Sequence, residues 1–402
     1  MEVTIIGSGF AGVKAALELS KEKDFSIHVI TDKPDFQYYP SLYSSATGYS
    51  HLESWVSLGE IFAGRENIHV TIDPVVGIDA AHKKIIGVSG EVYGYKELIV
   101  AVGTVTTYFG IPGLDQYSYG IKSAEEIRRL KERIFEDLAG DHKLDRNYVV
   151  IGGGPTGVEL AAALGTYLKQ LCRYYHIRKD KVNVRIIEAS DRLLPRSHPD
   201  VSKRVQKRLE QLGVEVQVST RVEQATAESV IAGGRPIASH TVIWTSGVMN
   251  NPLFAAHKDL FELSRNGRVV VDSHLQAAPH IYVLGDNADT PYSGLAQTAL
   301  HDAKFVAGNL RRKHAKKPLK TYKSVRPASS IPVGDGWAAF EFGPIRLYGK
   351  LGSVIRRAAD FIGYSELLPI GQALRPWYAS KVKEQDYFAP KRHVRRRHGD
   401  SK

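Results

Sequence analysis

Twice in 402 residues the chain runs an apolar strand into a glycine-spaced turn and on into a helix: Val3-Thr-Ile-Ile-Gly-Ser-Gly-Phe-Ala-Gly12, then Val149-Val-Ile-Gly-Gly-Gly-Pro-Thr-Gly157. In a GxGxxG turn the first glycine makes the tight bend, the second lets a pyrophosphate approach the backbone, and the third lets the helix pack on the strand. Free backbone N–H groups and the positive end of the helix dipole then meet the phosphate charge. One such match is weak evidence. Two, each between strand and helix and each followed by a strand ending near an acid, constrain the chain to two dinucleotide sites.

The surrounding pattern supports that reading. Strands are expected at Val3–Ile6 and Ile27–Ile30 around a helix from about Gly12 to Lys21, with Asp32 just past the second strand. The unit recurs as Tyr148–Ile151, a longer helix through about Tyr174, and Val184–Ile187 ending on Glu188. Asp32 and Glu188 are placed to hydrogen-bond ribose hydroxyls, and an acid there repels a 2′-phosphate, so Glu188 favours NADH over NADPH. Arg192, four residues on, is of the type that holds such a phosphate, and leaves NADPH open as donor. Further strands at Val214–Val218, His240–Thr245 and His280–Asp286 precede a helix near Ala296–Leu310. Beyond about residue 322 the pattern changes to strand-like pieces, Trp337–Phe342 and Ile345–Tyr348, and a basic amphipathic stretch from Ser353 to Lys383.

With two nucleotides bound by one chain, the economical chemistry is a flavin held in one domain and a nicotinamide visiting the other. Hydride passing from nicotinamide C4 to flavin N5 needs no protein acid or base; the protein aligns the rings and excludes water.

Charge is uneven. Residues 1–302 carry 32 Lys and Arg against 36 Asp and Glu, whereas the last hundred hold 22 against 7. No acid occurs between Asp302 and Asp335, and Lys391-Arg-His-Val-Arg-Arg-Arg-His398 forms a second basic cluster. Such a patch suits an anionic membrane surface, at about 1 kcal/mol per cationic side chain near the headgroups. Nucleic acid, drawn by the same charge, is the less favoured partner, and a merely solvated tail remains open. No apolar run is long enough to span a bilayer, and Met1-Glu2-Val3-Thr4 begins no export signal. The single cysteine, Cys172, fits a reducing compartment and excludes an internal dithiol couple. The fifteen histidines show no clustering of the kind that binds metal. The expected location is the cytoplasm.

The combination of motifs resembles the two-dinucleotide-binding-domain flavoproteins, and specifically type II NADH dehydrogenases. These are single-chain enzymes that pass electrons from NADH through FAD to a quinone without pumping protons. The resemblance rests on both glycine turns and on DKPDFQYYPSLYSSATG (32–48), LIVAVGT (98–104) and YFGIPGLDQYSYGI (108–121). It continues through IEASDRLLP (187–195), VIWTSGVMNNPL (242–253) and Leu284–Asp286, covering roughly residues 1–310.

It implies an α/β protein of two Rossmann-like domains plus a C-terminal region. An FAD-binding domain comprises residues 1–118 and 275–321, an NADH-binding domain residues 119–274, and a C-terminal dimer or membrane-surface region residues 322–402. Gly7, Gly9, Gly12 and Asp32 would hold the FAD adenosine and pyrophosphate, with Pro40, Tyr43 and Gly103 near the flavin and Asp286 on the ribityl chain. Gly152, Gly154, Gly157, Glu188 and Gly247 would form the NADH site, with Glu159 facing the nicotinamide–flavin junction. Ala296 and Gln297 match the start of an AQxAxQ segment beside the flavin and the quinone pocket.

Two departures stand out. His301 replaces the second glutamine of that segment, where it can serve quinone protonation or simply face solvent. The C-terminal stretch Leu367–Tyr378 is short and interrupted by Pro369, Gly371 and Pro376, where the family carries strongly apolar membrane-docking helices. Disulfide reductases and sulfide:quinone reductases of this architecture need paired cysteines that this chain lacks. A soluble NAD(P)H:acceptor reductase, or a flavoprotein like apoptosis-inducing factor, shares the architecture. The expected protein is therefore peripheral on the inner face of the cell membrane, with NADH and a quinone or other acceptor as substrates and a possible homodimer.

Overall fold

The computed structural model describes residues 1–139, 144–177 and 182–383; the basic cluster at 391–398 lies outside the described residues. The first sheet has six strands in the order Gln276–Ala278, Ile281–Val283, Glu97–Val100, Glu2–Ile6, Ser26–Thr31, Ile68–Ile72. All neighbours are parallel except the first pair. A second sheet, wholly parallel, runs Ser118–Tyr119, Thr241–Trp244, Asn147–Ile151, Asn183–Ile187, Val214–Gln217. Strands buried on both faces need unbroken apolar sequence, and Val149-Val-Ile151 and Leu98-Ile-Val100 supply it.

Helix α1 (Phe10–Leu19) starts two residues earlier than the periodicity predicts, because Gly9 in extended conformation serves as its N-cap. All ten of its residues are buried. Helix α2 (Pro155–Tyr174) opens the second glycine unit, again capped by glycine, with Pro155 in its first turn where the missing N–H costs nothing. Helix α3 (Ala296–His314) packs on α1, and both belong to one apolar core with Val3, Ile27 and Ile99.

The duplication reaches further than the sequence showed. Each half carries a three-stranded antiparallel sheet, at Val75–Gly94 in the first and Val222–Ala238 in the second. A two-stranded ribbon, Thr104–Thr106 against Val248–Asn250, ties the halves where the chain crosses between them.

The C-terminal region folds as a three-stranded meander (Ser329–Pro332, Ala338–Phe342, Ile345–Gly349) followed by α4 (Lys350–Ser365) and α5 (Ile370–Ala379). Of the stretch expected to be interrupted, the chain does break at residues 367–369, between α4 and α5, whereas Gly371 and Pro376 are taken into a ten-residue helix. Pro369 is its N-cap, and Pro376 sits inside it, past the first turn, at the loss of the one backbone donor that a proline lacks. Lys14 of α1 fastens α4 to the first half, its Nζ lying 2.8 Å from Glu366 Oε2 while Lys304 of α3 holds Oε1 at 2.8 Å. No helix among the described residues is long and apolar enough to cross a membrane.

Candidate functional site

The two glycine turns are built alike. Gly7 (φ +100°) and Gly152 (φ +114°) take left-handed backbone angles. A Cβ on Gly12 would stand 1.9 Å from the Gly7 carbonyl oxygen, and one on Gly157 would stand 1.8 Å from that of Gly152, so these positions are closed by the protein's own packing. Gly9 and Gly154 differ, because a Cβ on either would meet nothing within 4 Å. Their bareness answers no need of the fold; it clears the N-terminal ends of α1 and α2 for a group from outside, which is what two pyrophosphates require.

The two acids, Asp32 and Glu188, stand beside these turns. Asp32 is exposed past the end of Ser26–Thr31, next to the bend where Gly7 N–H donates to the Ile30 carbonyl at 2.8 Å. Glu188 is half-buried and engaged by backbone, accepting from Gly153 N–H at 2.5 Å and Ser190 N–H at 2.7 Å. Arg192 turns into its own loop, donating from Nη2 to the Pro195 carbonyl at 2.7 Å.

Gly103 (φ +69°) is held by Asn287, a residue that sequence reasoning passed over. Gly103 N–H donates to Asn287 Oδ1 at 2.8 Å, and Asn287 Nδ2 returns a bond to the Gly103 carbonyl at 2.7 Å. The neighbouring Asp286, in the single turn Gly285–Asn287, has its carboxyl pKa raised by burial, opposed by Arg268 and the Gly294 N–H. That turn is fixed from α3: the buried Asp302 accepts from Gly285 N–H at 3.1 Å and from the Tyr322 hydroxyl at 2.6 Å. Gly247 (φ +76°) lies against Thr107 and Phe109, where a Cβ would come within 2.6 Å of the Thr107 carbonyl oxygen.

Gln297 and His301, one turn apart on α3, both reach the strand-like segment crossing it. Gln297 trades bonds with the Ala328 backbone at 3.4 and 3.2 Å, and His301 Nε2 meets the Lys323 carbonyl at 2.8 Å. Ala296 begins the same helix and packs against the first apolar core. His301 opens on a groove of about 660 Å³ along α3, shared with Phe305, Arg312 and Lys320. Tyr43 and Arg356 line a different cavity, of about 200 Å³, between Pro40–Thr47, α2 and the C-terminal region.

Glu159, one turn into α2, meets Arg356 of α4. The Nη1–Oε1 distance is 3.4 Å, and each side chain is 11% exposed. Arg356 spends its remaining donors on the Pro40 carbonyl (Nη2, 2.7 Å), the Ser330 carbonyl (Nη1, 2.8 Å) and Asp360 (Nε, 2.9 Å). A single guanidinium therefore joins the Pro40 segment, helix α2 and the C-terminal meander. Burial drives the Glu159 pKa up to about 7, with Asp360 adding to the rise and Arg356 opposing it. No motif announces Arg356; the hint in the sequence is its i, i+4 spacing to Asp360 on an amphipathic helix.

Two glycine cradles on two parallel sheets, with a buried acid of near-neutral pKa between them, define an oxidoreductase of the two-dinucleotide class. The family model described as pyridine nucleotide-disulphide oxidoreductase matches residues 1–303. The type II NADH:quinone oxidoreductase Ndh of Mycobacterium tuberculosis is 29% identical over 389 residues, covering 88% of this chain and 82% of that protein. NdhA of the same organism, also a type II NADH:quinone oxidoreductase, is 30% identical over 329 residues, 76% of this chain and 70% of the other. NDH2 from Plasmodium falciparum, solved in complex with NADH, shares the fold with a TM-score of 0.86 at 17% identity, over 97% of this chain and 99% of that one. The chain belongs to the pyridine nucleotide-disulphide oxidoreductase family and, within it, to the type II NADH:quinone oxidoreductases.

Proposed function

We propose that this chain oxidises NADH by hydride transfer to bound FAD and passes the electrons to a quinone, without pumping protons. The observation that carries the reading is the pair of open positions, Gly9 and Gly154, at the mouths of two equivalent turns. Bound FAD supplies the two-electron relay. Gly7, Gly9, Gly12 and Asp32 hold its adenosine and pyrophosphate. Pro40, Tyr43, Gly103, Asp286, Ala296 and Gln297 enclose the flavin and ribityl chain. Gly152, Gly154, Gly157, Glu188 and Gly247 receive NADH. The backbone bonds on Glu188 orient an acid that disfavours a 2′-phosphate, and Arg192 is turned aside, so NADH rather than NADPH is the donor.

Glu159 keeps a proton available near neutral pH at the junction of the two sites, the task for which a carboxyl of ordinary pKa is unsuited. His301, engaged by the Lys323 carbonyl, serves to fasten the crossing segment, and the proton role falls to Glu159.

Helices α4 and α5 turn an apolar face outward, with Leu351 and Val354 each 66% exposed, Ile362 60% and Ile370 70%. Lys350, Arg357, Arg375 and Lys381 flank it. This face seats the protein on an anionic bilayer, at the inner surface of the cell membrane, where a lipid-soluble quinone is met. A second copy of the chain is the competing occupant, and nucleic acid the least favoured.

Two experiments test the reading. NADH should bleach the flavin, and a short-chain quinone should restore its colour quickly; reoxidation by oxygen or a ferredoxin-like protein, with quinone inert, would refute the assignment. Flotation with vesicles containing anionic lipid should carry the protein up at low salt; a salt-independent dimer that ignores vesicles would move α4 and α5 to a subunit interface.

A further inference from the structure

The cavity beside Tyr43 contains an acid that the binding of NADH and FAD leaves unused. Glu53 is 3% exposed, and its Oε1 has no hydrogen-bond partner among the described residues. It lines the cavity of about 200 Å³ together with Tyr43, Arg356, Asp360 and Tyr364. Facing it from α4 are Asp360, Arg356 and Tyr364, whose hydroxyl donates to the Glu53 carbonyl at 2.6 Å. Tyr38 stacks on Tyr364 at 4.2 Å and donates to Asp360 Oδ1 at 3.2 Å. Glu159 enters the group from α2 through Arg356. Tyr49, Asp335, Arg357 and Lys383 stand further out along the cavity.

Two carboxyls shielded from water, Glu53 and Glu159, and the partly exposed Asp360 thus stand around one guanidinium. Ionising Glu53 and Glu159 together would set two shielded anions against a guanidinium already paired with Asp360, so the two retain a proton between them near neutral pH. Arg356 touches Glu159 and Asp360 directly, which leaves Glu53 the acid least supported as an anion. Its pKa is raised well above the usual carboxylate range by burial and by Asp360, with Arg356 opposing. The Tyr43 hydroxyl lies within electrostatic reach of all four groups.

We propose that Glu53 is the proton store for reduction of the quinone, taking a proton from cavity water and passing it by way of the Tyr43 hydroxyl to Glu159. The inference rests on the quinone reading above. NADH gives up a hydride, one hydrogen nucleus with two electrons, and a quinone becomes a quinol only on gaining a second proton. That proton leaves the Glu53 hydroxyl as its O–H bond breaks, an O–H bond forms on the quinone, and solvent reprotonates Glu53 through the cavity, which has room for several waters. Glu53 touches neither substrate in this scheme; it is a positioning residue acting through Glu159.

Ferricyanide separates this role from a structural one, because it accepts electrons and takes up no proton. In E53Q, quinone-dependent turnover at pH 8 should fall about tenfold, with the alkaline limb of its pH profile shifted downward, while NADH:ferricyanide turnover stays as in the wild type. E53D should recover part of the loss. At neutral pH the wild type should show a carboxylic-acid C=O component in its infrared spectrum that disappears in E53Q and persists in E159Q, a readout independent of turnover. Equal losses with both acceptors, an unchanged quinone pH profile in E53Q, or absence of that band in the wild type would each overturn the proposal. Wild-type protein that reduces ferricyanide but no quinone would instead overturn the quinone reading, and this inference with it.

Discussion

Arg356 Nη1 lies 3.4 Å from Glu159 Oε1 while Nη2 of the same guanidinium donates to the Pro40 carbonyl at 2.7 Å. A cation from the C-terminal region thus bridges the Pro40 segment and helix α2. Replacing it with an apolar residue strands Glu159 as a buried acid without its counter-charge and takes from Asp360 its ion-pair partner. Removal of one partner from a buried ion pair costs about 3–5 kcal/mol. Arg356→Met should lower the melting temperature and move the Glu159 titration upward, which thermal melts and the pH profile of flavin reduction would register.

Glu159→Gln keeps shape and removes the proton. Turnover with a quinone should drop on the order of 10²-fold, the usual scale for a positioned acid, while NADH affinity changes little. Single-turnover mixing separates the two. Loss of NADH binding in step with loss of turnover would reassign Glu159 to binding.

The same residue sets a pH dependence with a definite sign. Its folded pKa, about 7, stands above the ordinary 4.5 of a glutamate. The folded state therefore binds this proton more tightly than the unfolded chain does. Its contribution to stability is fully present below about pH 4.5 and is lost as pH rises through about 7. Thermal melts from pH 5 to 8 should show a downward component that Glu159→Gln abolishes.

The open and closed glycines should respond differently to one added methyl. Gly9→Ala and Gly154→Ala meet no protein atom within 4 Å, so both variants should fold. The first should emerge without yellow colour. The second should keep its flavin and bind NADH at least about tenfold more weakly, since the methyl stands where the phosphates come. Gly157→Ala, whose Cβ would fall 1.8 Å from the Gly152 carbonyl oxygen, should not fold at all. Absorbance spectra and NADH titrations read all three.

Asn287→Ala removes both bonds that hold the Gly103 loop. An unsatisfied buried backbone group costs about 1–3 kcal/mol, so flavin retention under mild urea should fall before the fold does. Retention equal to the wild type would show that the loop holds itself.

What sequence could and could not disclose follows from the range of each interaction. The glycine turns were legible because their constraints act within a dozen residues: a bend, a cap, a helix start. Arg356 and Glu159 are 197 positions apart, and Asn287 and Gly103 are 184 apart, so no local pattern links either pair. Pro376 reads as a break in sequence, yet it forfeits one backbone bond, and the packing of Trp377 of α5 on Phe361 and the Arg357 carbonyl of α4 outweighs that loss. The antiparallel additions at Val75–Gly94 and Val222–Ala238 escape a reading of the sequence because each strand is only three to five residues long, too few for alternations such as those of Lys84–Gly87 and Ser229–Ala232 to stand out from loop.

Helix α4 leads two lives on opposite sides. Its inward stripe, Arg356, Asp360 and Tyr364, is answerable to chemistry at the heart of the molecule. Its outward stripe, Leu351, Val354 and Ile362, answers only to whatever the cell sets against it. Over evolutionary time the second can drift with the lipid or partner of each lineage while the first stands still. In descendants of this chain, changes of habitat should be written on one side of a single helix.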